Sequence, residues 1–415
     1  MNIGPMIKYY RLKKHLTQSQ LAEGICSVPH LSKIENNHYR ASEATAFLLL
    51  EKLGIDLSQE YEKYQLLKTD LDEFVEAILY YDLESIHKYG KKLKEREELY
   101  AQTDLIHLYH IYMMRYYSFT KNLGKAKEHR KVLEKLQANL SPLEELLFSF
   151  NIGLLLFDEN KMVEARDHFL TLKSMSISSF IIRDLFYQIS LCFSVLNHPE
   201  KAVTYAKKAL TYYKEENNFI RTVHTQMILG INYARLGLYN EGVDIYKILL
   251  RNTRLLRLDN LYHQIIYNYS LLLLRKNHFT EALHYLNEAI TVFNKGSQHH
   301  ILSLLAIIEI LIKLKKDPSE IREHIKEVLQ YSHSTNLKKY ALLAQKFEYE
   351  LTSHNEMYDF IENQLFPFLK KHHHIEEMMI TALDLAKHHQ TLGHIEKAND
   401  YYNEYISNLQ KEEFQ

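Results

Sequence analysis

The chain has 415 residues, a formal net charge of −1, 46% apolar and 25% charged residues, a balance that excludes a chain wrapping nucleic acid along its whole length. Only 11 glycines and 6 prolines occur, which points to an all-α chain of two or more domains and excludes glycine-rich phosphate cradles. The two cysteines, Cys26 and Cys192, give no disulfide framework. No apolar run approaches a membrane span or a secretory leader, so a cytoplasmic protein without membrane association is expected.

In chain order, a first helix is predicted from Pro5 to about Lys14, with Met6, Tyr9 or Tyr10, and Leu12 facing inward. Thr17 reads as an N-cap, and Gln20 three residues on completes a capping box that starts helix 2. Gly24-Ile25-Cys26-Ser27 makes a turn, and helix 3 runs from about Val28 to Asn36 with Pro29 in its first turn. Ser42 caps a fourth helix, Glu43 to Leu53, ended by Gly54. Residues 1–40 carry Lys8, Arg11, Lys13, Lys14, Lys33 and Arg40 against Glu23 and Glu35, an excess suited to a phosphate backbone.

The motifs Thr17-Gln18-x-x-Leu21-Ala22 and Leu31-Ser32-Lys33-Ile34-Glu35-Asn36 stand at helix-turn-helix spacing and resemble the XRE, or phage-repressor, type. In that geometry the start of helix 3 meets base edges while helix 2 crosses the backbone. Val28, Pro29 and Lys33 would then face bases. Gln18 would hold a phosphate at the start of helix 2, and Ser27, His30, Asn36 and Arg40 would flank these as backbone contacts. The turn is one residue shorter than in phage repressors and lacks a glycine before helix 3, which leaves open which of Val28, Pro29 and His30 reads bases. Arg11 and Glu35 resemble the buried ion pair that ties helix 1 to helix 3 in such repressors.

Beyond a linker helix at 59–73, residues 74–411 repeat. Ala126, Ala165, Ala202, Gly242 and Ala282, and near the end Ala398, occupy one register, with degenerate units near Ile321 and Phe360. Four residues later come Phe169, Ala206, Tyr246, Leu286 and Tyr402; twelve before come Gly153, Ser190, Gly230, Ser270 and Ala386. Small residues there let the two helices of a hairpin touch closely. The pattern resembles the tetratricopeptide (TPR) repeat, and about eight or nine hairpins would stack into a right-handed α-solenoid. Pro142, Pro199, Pro318 and Pro367 punctuate its joints. The concave wall would bind an extended peptide through Asn151, Gln188 and Asn268, which share one inner position, with Arg115, Arg235 and Arg275 as carboxylate contacts. Tyr187, Asn232, Gln264 and Tyr267 lie nearby.

No catalytic motif or cofactor loop is found, so no enzyme and no cofactor are expected. The pairs His299-His300 and His388-His389 and the triplet His372-His373-His374 lack the acids or cysteines of a metal site and read as solvated loop histidines titrating near neutral pH.

The head and the repeats together resemble the RRNPP family of Gram-positive quorum-sensing regulators, with the length and repeat count of its NprR branch. The resemblance implies a homodimer or higher oligomer that binds an operator and is controlled by a short re-imported signalling peptide in the groove. It also implies an alternative, in which the repeats bind and inhibit or dephosphorylate a phosphorelay response regulator.

Overall fold

The computed structural model describes residues 3–36, 39, 41–174, 179–334, 337–372 and 374–410. Regular structure among them is helical, without a strand. The head holds α1 (Ile3–Lys13), α2 (Gln18–Ala22), α3 (Val28–Glu35) and α4 (Glu43–Leu53). Each start is fixed by a side-chain oxygen. Thr17 and Gln20 form the expected capping box, Ser27 accepts from the His30 amide, and Ser42 from the Thr45 amide. Gly54 ends α4 in the left-handed conformation at φ 63°. Met6, Ile7, Leu21, Leu31, Ile34 and Leu49 fill the head's core. Leu12 does not join them: it is 55% exposed, because its place on α1 turns outward and Ile7 takes the inner one.

A 24-residue helix, α5 (Leu57–Tyr80), follows. The repeats begin with α6 (Leu83–Glu95), α7 (Glu97–Tyr100), α8 (Ile106–Phe119), α9 (Leu123–Leu136), α10 (Pro142–Asp158) and α11 (Met162–Lys173). They continue with α12 (Ser179–Val195), α13 (Pro199–Glu215), α14 (Phe219–Arg235), α15 (Tyr239–Leu255), α16 (Asp259–Arg275) and α17 (Phe279–Ile290). Then come α18 (Gln298–Lys313), α19 (Pro318–Ser334), α20 (Lys338–Thr352), α21 (His354–Phe360), α22 (Phe366–Lys371), α23 (Ile375–Thr391) and α24 (Ile395–Gln410).

The hairpin turns share one device. Tyr81, Lys121, Asn160, Asn197, Asn217, Gly237, Arg257, Asn277 and Gly393 all have positive φ, each two residues before the next helix. From Asn197 to Asn277 every twentieth residue is such a position. The following amide reaches back five residues, as Leu238 N to Tyr233 O at 2.9 Å and His278 N to Leu273 O at 2.9 Å, which is the Schellman closure of a helix C-terminus. Asparagine and glycine tolerate the left-handed conformation best, and they occupy six of these nine positions.

Prolines 142, 199 and 318 start α10, α13 and α19, where a missing N–H costs nothing. Pro367 acts differently. It lies in the first turn of α22, which continues α21 through a π-helical segment, Ile361–Leu365. The missing amide there widens a continuous helix instead of ending it.

The chain divides into two compact units: Met1–Gln188 with Tyr213–Arg221, and Ile189–Tyr212 with Thr222–Gln415. In the first, Leu71, Phe74, Tyr100, Tyr109, Met113 and Leu155 are among the core residues, and the Phe169 ring lies on Gly153. In the second, the Tyr246 ring lies on Gly230. Ser190, Ser270 and Ala386 are fully buried, as are Ala126, Ala165, Ala202 and Ala282. The small-residue register thus marks closely packed positions.

A Cβ on Gly153 would stand 2.4 Å from the Phe169 ring. Gly153→Ala should therefore cost about 1–3 kcal/mol through overpacking, read as a lower midpoint in thermal unfolding. Gly237→Ala, with nothing within 4 Å but φ at +75°, should be milder, because only the backbone preference opposes it.

Candidate functional site

In the head, α3 is held from behind by a buried network. Arg11 Nε and Nη2 donate to Glu35 Oε1 and Oε2 at 2.6 and 2.9 Å, Arg11 Nη1 donates to Leu16 O at 2.8 Å, and Gln18 Nε2 donates to Glu35 Oε2 at 2.8 Å. A two-pronged Arg–carboxylate pair fixes orientation as well as distance, so α1, α2 and α3 are locked in one arrangement. Gln18 departs from its expected role here. Its side chain serves the ion pair, which leaves the backbone amides at the start of α2 for a phosphate.

On the outer face of α3, Val28 is 39% exposed and Pro29 and Lys33 are exposed. Ser27 is the N-cap, and the half-buried His30 ring meets Tyr39 edge-on at 4.8 Å. Asn36 caps the end of α3, its Nδ2 donating to Ser32 O at 3.0 Å and its Oδ1 accepting from Lys8 Nζ at 3.2 Å. Arg40 lies outside the described residues.

The ten residues expected to line a peptide groove fall into separate places. Asn151 is buried and its amide donates to Ile111 O at 2.9 Å, fastening α10 to α8. Gln188 is likewise buried. Both side chains are taken up in the helix packing. Arg115 and Tyr187, both half-buried, stand in a cluster that sequence reasoning missed. Arg221 lies over the Tyr81 and Tyr187 rings at 4.9 and 5.6 Å, and Tyr213 donates to Asp184 at 2.5 Å. Arg221 Nη2 and Asn218 Nδ2 donate to Ile78 O and Leu79 O at 3.3 and 2.8 Å, satisfying carbonyls at the end of α5. Burial, with the positive charge of Arg221 adding to it, pushes the Arg115 guanidinium down to about 10.

In the second unit, Arg235, Asn268 and Arg275 do come together. They line a pocket of about 210 Å³, and the two arginines also line a cleft of about 850 Å³. Asn232 is absent from both walls. It is fully buried, donating to Ser194 Oγ at 2.9 Å and Ile228 O at 2.8 Å. Gln264, half-buried, and Tyr267, buried with its ring edge-on to His299, share α16 with Asn268 but also stand outside the walls.

A residue the sequence did not flag is central to the cleft. Glu376, in the first turn of α23, accepts from Arg235 Nη2 at 2.5 Å and from Arg275 Nη2 at 2.8 Å. Burial raises its carboxyl, but the two guanidinium charges outweigh this and hold it below the usual range. The partners lie 141 and 101 positions away in sequence, so no local pattern announces them.

Residues 7–59 match the helix-turn-helix family model. The chain is 23% identical over 401 residues to the transcriptional activator NprA of Geobacillus stearothermophilus, covering 92% of this chain and 97% of that protein. The likeness to that activator runs over nearly the whole of both chains. Two solved structures share its fold. NprR in complex with its cognate peptide NprX matches with a TM-score of 0.66 at 21% identity, covering 83% of this chain and 99% of that one. A Rap protein complexed with Competence and Sporulation Factor matches with a TM-score of 0.70 at 16% identity, covering 84% and 98%.

The histidine pairs lie in helices and not in loops. His299 and His300 lie in α18, and His388 and His389 in α23. His300 and His389 are buried, and His388 stacks on Tyr358 at 3.6 Å. Burial lowers the pKa of His299, His300, His374 and His388 from the ordinary histidine value. His372, at the end of α22, is exposed, and His373 lies outside the described residues. Among the described residues no group of three or more His, Cys, Asp or Glu side chains could hold a metal ion, and no helix is long and apolar enough to cross a membrane.

The head's network gives a direct test. Arg11→Leu leaves the Glu35 carboxylate buried with Gln18 as its side-chain donor, and breaking a buried pair from one side costs about 3–5 kcal/mol. Hydrogen exchange in α1–α3 should accelerate strongly while α8–α11 stay protected. Unchanged exchange in α3 would show that the pair does not hold it.

Proposed function

We propose that this chain is a transcription regulator whose helix-turn-helix head binds operator DNA and whose repeats bind a short signalling peptide. The observation that carries this reading is the near full-length likeness to a transcriptional activator, joined to a head that offers the free face of α3. In this reading Val28, Pro29 and Lys33 meet base edges in the major groove, with Ser27, His30, Asn36 and the amides of Gln18 and Ser19 beside the phosphates.

The peptide site is the cleft of the second unit with the pocket that shares its two arginines, and Asn268, Arg235 and Arg275 are its polar contacts. The protein acts in the cytoplasm as a homodimer, whose two heads take half-sites about one helical turn apart or a multiple of it. The peptide acts by binding one arrangement of the repeats better than another. A fold shared with a Rap protein supports a second reading, in which the repeats engage a response regulator. The head favours the first, because the second gives the α3 face nothing to do.

With an operator selected from random DNA by the full-length protein, Lys33→Ala should weaken binding by about 1–3 kcal/mol, measured by fluorescence anisotropy. Peptide affinity should stay constant; a parallel loss of both would refute separate sites. Conversely, Asn268→Ala should weaken peptide binding by about 1 kcal/mol through one lost hydrogen-bonding group, with an unchanged circular dichroism spectrum. Calorimetry giving the wild-type affinity would remove Asn268 from the site.

A further inference from the structure

We propose that Glu376 is an internal occupant of a carboxylate-binding site, and that the free C-terminal carboxylate of a peptide displaces it. The inference rests on the peptide reading above and adds which chemical group the cleft takes and what that group must move.

Both oxygens of Glu376 are held, one by Arg235 from α14 and one by Arg275 from α16. Two guanidinium groups converging on one carboxylate make a site for any carboxylate, whether or not it is part of the chain. Arg235 would stay in place if Glu376 left. Its Nη1 is anchored to Ser194 O at 2.5 Å and lies 3.2 Å from Ser194 Oγ, and its side chain is only 13% exposed. Its buried Nε has no hydrogen-bond partner among the described residues, so a donor is left over beside the pair.

Glu376 is reachable from the cleft. Its side chain is 30% exposed and it lines the cavity together with Leu271, Ile312, Phe347 and Met379, apolar surface beside which apolar side chains of a peptide can lie. The helix that carries Glu376 is tied to α20 by the neighbouring Glu377, which accepts from Lys339 Nζ at 2.6 Å. Helix α23 packs chiefly on α24 and α22. Its contacts toward the middle hairpins include the Glu376 ion pairs and a 3.8 Å contact of Met379 Sδ with Asn197 Nδ2. Glu376 therefore joins α23 to α14 and α16, and a competing carboxylate would undo that join.

The test uses immobilised full-length protein and two pools of N-acetylated random heptapeptides, one with free and one with amidated C-termini, with retained peptide measured by mass spectrometry. An internal competitor lowers apparent affinity by the fraction of sites it fills. Glu376→Gln should therefore retain about tenfold more of the free-carboxylate pool than wild type, with little change for the amidated pool. Arg275→Gln should abolish the preference for the free pool, and this arm decides if Glu376→Gln fails to fold. Hydrogen exchange without peptide should speed up in the first turn of α23 in Glu376→Gln. If wild type retains both pools alike and Glu376→Gln changes neither, or raises both equally, the displacement idea falls while peptide binding stands. An equal gain in both pools would mean a side-chain carboxylate or mere loosening of the cleft. If neither pool is retained by wild type or variant, the peptide reading falls and this inference with it.

Discussion

In two repeats a large ring meets a backbone that lacks a side chain. The Phe169 ring occupies the space where a Cβ of Gly153 would be, and the Tyr246 ring does the same at Gly230. Close approach of two helices at one point leaves them a narrow range of crossing angles. The left-handed residue before each following helix then fixes where the chain turns back. These two local constraints act together from Asn197 to Asn277, where turns recur at even intervals. The regularity of the hairpins is therefore set within each repeat, with long-range contacts needed only to choose how repeats are joined.

Two of those long-range joins are polar. The carbonyls of Ile78 and Leu79 are taken up by Arg221 and Asn218 in the first unit, and Glu376 is taken up by Arg235 and Arg275 in the second. Apolar packing inside a hairpin is insensitive to the chemistry of a small ligand. A carbonyl or carboxylate held by arginine is sensitive to it, because a ligand can present the same group. Desolvated ion pairs also contribute little net stability once the cost of burial is counted, so exchanging one carboxylate for another is nearly balanced. A stack of rigid hairpins joined by exchangeable polar contacts is a structure whose arrangement a ligand can alter without disturbing its parts.

The head was legible in the sequence almost residue by residue, because caps act over three or four positions. Thr17, Ser27, Ser42 and Gly54 each declare an end of a helix. The Arg11–Glu35 pair was legible only through likeness to known repressors, and Leu12 was misplaced because one apolar residue cannot say which way a short helix is rotated. The repeat register was legible from its small residues, while the positive-φ turns were hidden, since Tyr81, Lys121 and Arg257 carry no preference for them. Asn151 and Asn268 look equivalent in sequence. They separate in the structure because Ile111 O lies within reach of Asn151 and takes its amide, whereas Asn268 lines an open pocket. Glu376 could not be read at all: its meaning comes from two residues more than a hundred positions away.

The head's coupling to the repeats constrains any account of regulation. Tyr10 Oη donates to Glu60 Oε1 at 3.0 Å on α5 and lies 3.4 Å from Gln102 Oε1, and Met6 borders Tyr64, Leu67 and Leu99 around one small cavity. The head is therefore seated on α5 and the segment after α7 instead of hanging from a flexible tether. A 24-residue helix without glycine or proline transmits rotation with little loss. Moving α3 relative to DNA then requires moving the first hairpins with it, so the effect of a ligand cannot be a loosening of the head alone. In the proposed reading, a peptide acts by binding one arrangement of the repeats more tightly than another. A polar join that exists in one arrangement and is broken in the other supplies that difference, and the arginines facing Glu376 are placed to be such a join.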